Sequence, residues 1–133
     1  MKRGMLLFAH GARDPNWAVP FEEVATLVRQ RVPSAMVKLA FLEFMTPSLP
    51  DAGRAMADAG CEHVEVVPLF LGAGGHVRKD LPALLAELSK EYPNVKWNLR
   101  PAIGEIASVI EAMATAAVQG MQGFQGDASK ARS

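Results

Sequence analysis

The sequence predicts an α/β fold of flavodoxin-like type, a three-layer sandwich around a four-stranded parallel sheet. Three observations predict it. Four short apolar runs, partly β-branched, alternate with amphipathic segments, which is the pattern of strands joined by right-handed helical crossovers. The first run hardly alternates between apolar and polar residues, so that strand should be buried on both faces. With 133 residues, half of them apolar and 21% charged, the chain has one domain's worth of core. The expected strand order is 2-1-3-4.

The elements follow in order. The first strand is "GMLLFA", residues 4–9. Asp14-Pro15-Asn16 reads as a turn. Phe21, Val24, Ala25, Leu27 and Val28 then recur at helical spacing, with Glu22, Glu23, Arg29 and Gln30 on the wet side. Pro33-Ser34 breaks that helix. "AMVKLAFLE", residues 35–43, is the second strand. Ser48, with Asp51 three residues on, makes a variant capping box for a helix that runs through about Ala59 and closes at Gly60. The third strand is "HVEVVPLFL", residues 63–71, and Pro68 should loosen its pairing near the end. Gly72, Gly74 and Gly75 turn into a helix that reaches about Glu91. "NVKWNL", residues 94–99, alternates Lys96 and Asn98 with apolar positions, as an edge strand does. After Gly104 a last helix is expected over residues 105–119. The glycine-rich remainder reads as a flexible tail, residues 121–133, after a single domain over residues 1–120.

The totals narrow the function. Fourteen Lys and Arg balance fourteen Asp and Glu, which argues against nucleic-acid binding through bulk positive charge. Cys61 is the one cysteine, so no intrachain disulfide and no cysteine-rich metal cluster can form, and a reducing cytoplasm fits. Lys2 and Arg3 precede only a short apolar run, Met5 to Ala9, well under a signal core or a membrane span. The expectation is a cytoplasmic protein without a nucleic-acid or membrane partner.

Three polar residues stand at three strand ends. In open parallel sheets ligands sit outside the carboxyl ends, near the switch point. His10 ends the first strand, Glu43 closes the second, and His76 follows the third. Strand order 2-1-3 makes these neighbours, about 4.8 Å apart, so the three side chains can converge on one cleft. Two imidazoles and a carboxylate suit a divalent ion of borderline softness, such as cobalt, nickel, iron or zinc, and leave coordination positions open. They suit magnesium or calcium poorly. Around this cleft, "GAGGHVRKD" sets backbone N–H groups and a helix N-terminus beside Arg78 and Lys79, and Arg13 follows His10, so an anionic ligand is favoured. Blander readings stay open. His10 can be a strand-end residue bonded to backbone, Glu43 a cap for the Pro47-Ser48 turn, His76 an ordinary first-turn residue, and Arg78 and Lys79 a solvated face. His63 reads as surface and Cys61 as packing.

"LLFAHGARDP", "FLEFMTPSLPDA" and "VVPLFLGAGGHVRKDLP" resemble, in order and spacing, the short form of the CbiX-type sirohydrochlorin chelatases of the class II tetrapyrrole chelatase group. The resemblance implies a chelatase-like fold and a lyase that inserts Co²⁺, or alternatively Fe²⁺ or Ni²⁺, into sirohydrochlorin on the way to cobalamin or sirohaem. It implies that His10, Glu43 and His76 are the catalytic residues and the metal ligands. The metal is then a substrate, with no cofactor permanently bound. Arg13, Arg78 and the loop of Gly72, Gly74 and Gly75 would meet the substrate's carboxylate arms, while Phe44, Met45 and Leu71 face its ring. Longer members carry two such halves, so a homodimer is implied. No ATP requirement follows, since the G-x-x-x-x-G-K loop is missing.

Three rivals remain. Histidine phosphatases place Arg-His-Gly after a first strand, but Ala9 stands here where the phosphate-clamping arginine would be. A metal or tetrapyrrole carrier would use similar ligands without turnover. A nucleotide module on residues 72–75 is weak, because those glycines follow the third strand rather than the first.

Overall fold

β1 (Arg3–Ala9) forms the middle of the sheet because every residue from Leu6 to Ala9 is buried, which only a strand covered on both faces allows. The computed structural model describes residues 1–72 and 74–129, without the side chains of His76 and of residues 122–129. β2 (Met36–Phe41), β3 (His63–Pro68) and β4 (Lys96–Leu99) complete one parallel sheet of order β2-β1-β3-β4. Leu7 lies in register with Leu39 on one side and Val67 on the other. The expected fold class and strand order are both found.

The helices are α1 (Val19–Arg31), α2 (Leu49–Asp58), α3 (Gly75–Glu91) and α4 (Ala107–Ser129). Strand alternation assigns the two faces. Leu6, Phe8, Val64 and Val66 pack with Leu49 and Met56 of α2 and Leu81, Leu85 and Leu88 of α3. Leu7, Val37 and Val67 pack on the opposite face with Ala25 of α1. Ser48 caps α2 as read: its hydroxyl accepts the Asp51 N–H at 3.2 Å, while the Asp51 carboxylate meets Arg54. Gly60 follows that helix with φ +97°, the left-handed turn glycine favours.

Several element ends differ from the expected ones. The Asp14 turn is a capped 3₁₀ turn, Pro15–Ala18, in which the Asp14 carboxylate accepts the Asn16 N–H at 2.9 Å. β2 stops at Phe41 and β3 at Pro68, short of residues 43 and 71, and Pro68 has no N–H to continue a ladder. α4 starts after a second 3₁₀ turn, Ile103–Glu105, and passes the expected end at residue 119 to reach Ser129. Gly120, Gly123 and Gly126 in the added stretch weaken a helix without forbidding it. Residues 130–133 of the expected tail lie outside the described residues. From Ile110 to Met121 every α4 residue is exposed.

Candidate active site at the carboxyl edge of the sheet

The chain leaves β1 at His10 and leaves β2 toward Glu43, and there the two backbones are pinned together. Glu43 N–H donates to the His10 carbonyl at 3.0 Å, and Leu42 N–H donates to the Ala9 carbonyl at 2.9 Å. Gly11 makes this approach workable. Its φ is +89°, and a Cβ there would run into the Glu43 carbonyl. Both side chains are exposed at this edge. The His10 imidazole lies on the buried ring of Phe70, centroids 4.5 Å apart and tilted by 38°. Phe70 is itself held edge-on by Phe8 at 5.7 Å. The histidine thus stands on a core aromatic and is exposed at the rim.

His76 is the second residue of α3, directly after the loop from β3, so its backbone belongs to the same edge. Its side chain lies outside the described residues, so of the expected trio only His10 and Glu43 are seen joined, through their backbones. Among the described side chains, no three His, Cys, Asp or Glu residues cluster closely enough to hold a metal ion. No side chain caps α3, whose N-cap is Gly74. A Cβ on Gly72, Gly74 or Gly75 would meet nothing within 4 Å among the described residues, and none of the three has a left-handed φ. The protein's own packing therefore does not demand glycine there; what small residues supply is free space before the helix N-terminus.

The surrounding residues divide. Phe44 is 58% exposed with φ +65°, a conformation uncommon for an aromatic, and the Arg13 guanidinium sits 4.9 Å above its ring. Leu71 is exposed. Met45, expected to face a ring, is instead half-buried against the Ala9, Ala18 and Phe41 cluster. Arg78 donates to Glu105 at 3.3 Å, and Lys79 is exposed.

Sequence reasoning missed Phe70, Arg100 and Glu105. Phe70 was hidden inside the overlong third strand. Arg100 is the first residue past β4, so the strand-end rule that singled out His10 also reaches it. With Phe70, Val77, Arg78, Leu81 and Leu99, Arg100 lines a crevice of about 420 Å³ that includes neither His10 nor Glu43.

The other titratable groups belong to the scaffold. Glu65 is held below its ordinary carboxylate range: burial opposes this, but the Asn98 amide donating at 2.6 Å, His63 at 3.2 Å and the Arg100 charge outweigh it. His63 is thus half-buried and paired rather than a free surface residue. Cys61 is buried, and that burial pushes its thiol up, so it is packing as read.

Comparison with known proteins identifies the family of the chain. The family model CbiX matches residues 4–119. A sirohydrochlorin cobaltochelatase of Sulfurisphaera tokodaii is 34% identical over 85 residues, 64% of this chain and 69% of that one. The chloroplastic sirohydrochlorin ferrochelatase of Arabidopsis thaliana is 28% identical over 101 residues, 76% of this chain but 45% of the plant protein, so the match spans less than half of that relative. Among solved structures, a protein of Marinobacter aquaeolei VT8 assigned to CbiX superposes with a TM-score of 0.78 at 32% identity, covering 90% of this chain and 98% of that one. The chain is a member of the CbiX family.

Proposed function

We propose that this protein is an ATP-independent sirohydrochlorin chelatase of the reducing cytoplasm, inserting a divalent metal, Co²⁺ first among candidates, into the tetrapyrrole. One observation carries the reading: His10 and Glu43, from different strands, are hydrogen-bonded through their backbones at the open carboxyl edge of a CbiX-family chain. The names of the relatives support sirohydrochlorin as substrate, and they divide between cobalt and iron.

The chemistry asks for what this edge offers. Metallation releases two pyrrole protons and exchanges the ion's bound waters for four ring nitrogens. Imidazole changes charge near neutral pH, so it can hold the ion when neutral or accept a proton. His10 and His76 hold and hand over the ion and take up protons, while Glu43 completes the ligand set or passes protons to solvent. Stacking on Phe70 keeps the His10 ring in one plane, which limits the reorganisation needed at transfer. A second copy of the chain completes the cleft, with α4 as the contact: its exposed Ile110, Met113 and Met121 recur along one helical stripe.

The test is a spectroscopic assay of the purified protein with sirohydrochlorin and, separately, Co²⁺, Fe²⁺ and Ni²⁺. Metallation well above the protein-free rate, without ATP, is expected. Tight binding with no acceleration would make the protein a carrier, and phosphomonoester turnover without metal would make it a phosphatase. His10→Ala should lower the metallation rate by about 100-fold or more while the fold persists, since the imidazole is exposed.

A further inference from the structure

We infer that the crevice between α3 and the segment after β4 is a subsite for a carboxylate arm of the substrate, in which Arg100 and Arg78 grip the acid group. The inference rests on the chelatase reading and extends it to a part of the surface that His10 and Glu43 do not reach.

Position, shape and charge lead to it. The crevice opens at the carboxyl edge, because Arg100 is the first residue past β4 and Arg78 lies in the first turn of α3. Phe70 is its inner wall, and the same ring carries His10 at 4.5 Å, so a group seated there is one aromatic ring away from the proposed metal-handling imidazole. Val77, Leu81 and Leu99 make the remaining walls apolar. A space of about 420 Å³ lies at the small end of ligand sites, which suits one arm and the adjoining edge of a macrocycle rather than the whole of it. Methylenes of the arm would cover the apolar walls, and its carboxylate would reach the guanidiniums.

Both guanidiniums are loosely engaged. Arg78 meets Glu105 at 3.3 Å and Arg100 meets Glu65 at 4.0 Å, longer than the roughly 2.8 Å of a strong charge-assisted bond. Their side chains are 66% and 45% exposed, so these contacts contribute little and can be exchanged for a bidentate ligand carboxylate. Glu105 lines the same crevice with the opposite sign. It competes for Arg78 and repels an incoming acid, which gives the subsite a built-in test of charge.

The experiment titrates metal-free sirohydrochlorin into wild type, Arg100→Ala, Arg100→Lys and Glu105→Gln by fluorescence, and measures KM and kcat for Co²⁺ insertion in each. Arg100→Ala should weaken binding and raise KM about tenfold with kcat nearly unchanged, as expected when binding common to ground and transition states is lost. Arg100→Lys should fall between, and Glu105→Gln should tighten binding. With the fully methyl-esterified macrocycle, all four proteins should bind alike. If wild type metallates sirohydrochlorin while Arg100→Ala and Glu105→Gln keep its binding and KM, the subsite is wrong and the chelatase reading stands. A loss confined to kcat would also overturn it. If wild type neither binds nor metallates the macrocycle, the chelatase reading falls and takes the subsite with it.

Discussion

At Gly11 the chain turns through φ +89°, and the Glu43 carbonyl occupies the space a Cβ would need, beside the Glu43–His10 backbone bond. Gly11→Ala adds a methyl group that has no room and forces a conformation L-residues resist. It should cost about 1–3 kcal/mol, measured by denaturant unfolding, and lower metallation more than the stability loss explains, because the His10–Glu43 pairing opens. Glu65 gives a pH prediction with a defined sign. Its folded-state pKa lies below the ordinary value of 4.5, so its contribution is complete above that value and is lost as pH falls through the lower, folded one. Asn98→Ala removes the donor at 2.6 Å. Unfolding across pH should show the variant's deficit at neutral pH and its shrinkage in acid. A deficit that stayed constant with pH would show that the Asn98 bond does not depend on the carboxylate charge.

Among the elements, α2 was the most completely legible. Ser48, Asp51 and Gly60 are local signals, and the structure answers each within a residue or two. Ser48→Ala should therefore cost about 1 kcal/mol, seen as a lower thermal midpoint with the metallation rate unchanged. The ends of β2 and β3 were less legible. "FLE" and "LFL" are apolar enough to continue a strand, and the partner across the sheet, together with the missing N–H of Pro68 in β3, decides where pairing stops. For β2 that decision is what frees Glu43 to sit against Gly11. α4 exceeded its reading because glycine weakens a helix by about 1 kcal/mol each without forbidding it.

For the whole molecule, the arrangement of the sheet makes the site, and exposed apolar surface points to how the molecule is completed. A helix with exposed Ile110, Met113 and Met121 is expected to find cover, and the proposed cover is a second copy. Sedimentation velocity should show a dimer, and the double substitution Met113→Lys and Met121→Lys should shift it toward monomer; an unchanged dimer would remove α4 as the contact. The sequence by itself determined the α/β class, the strand order and the position of His10 directly after β1, because hydrophobic periodicity, turn residues and the handedness of crossovers are local rules that propagate to topology. Only the tertiary structure decided that His10 rests on Phe70, that Glu43 is bonded to the His10 backbone, that Met45 is spent on the core, and that Arg78 and Arg100 share a crevice. Those facts depend on which residues from separate strands meet in space, and no spacing along one segment encodes a contact whose partner lies tens of residues away.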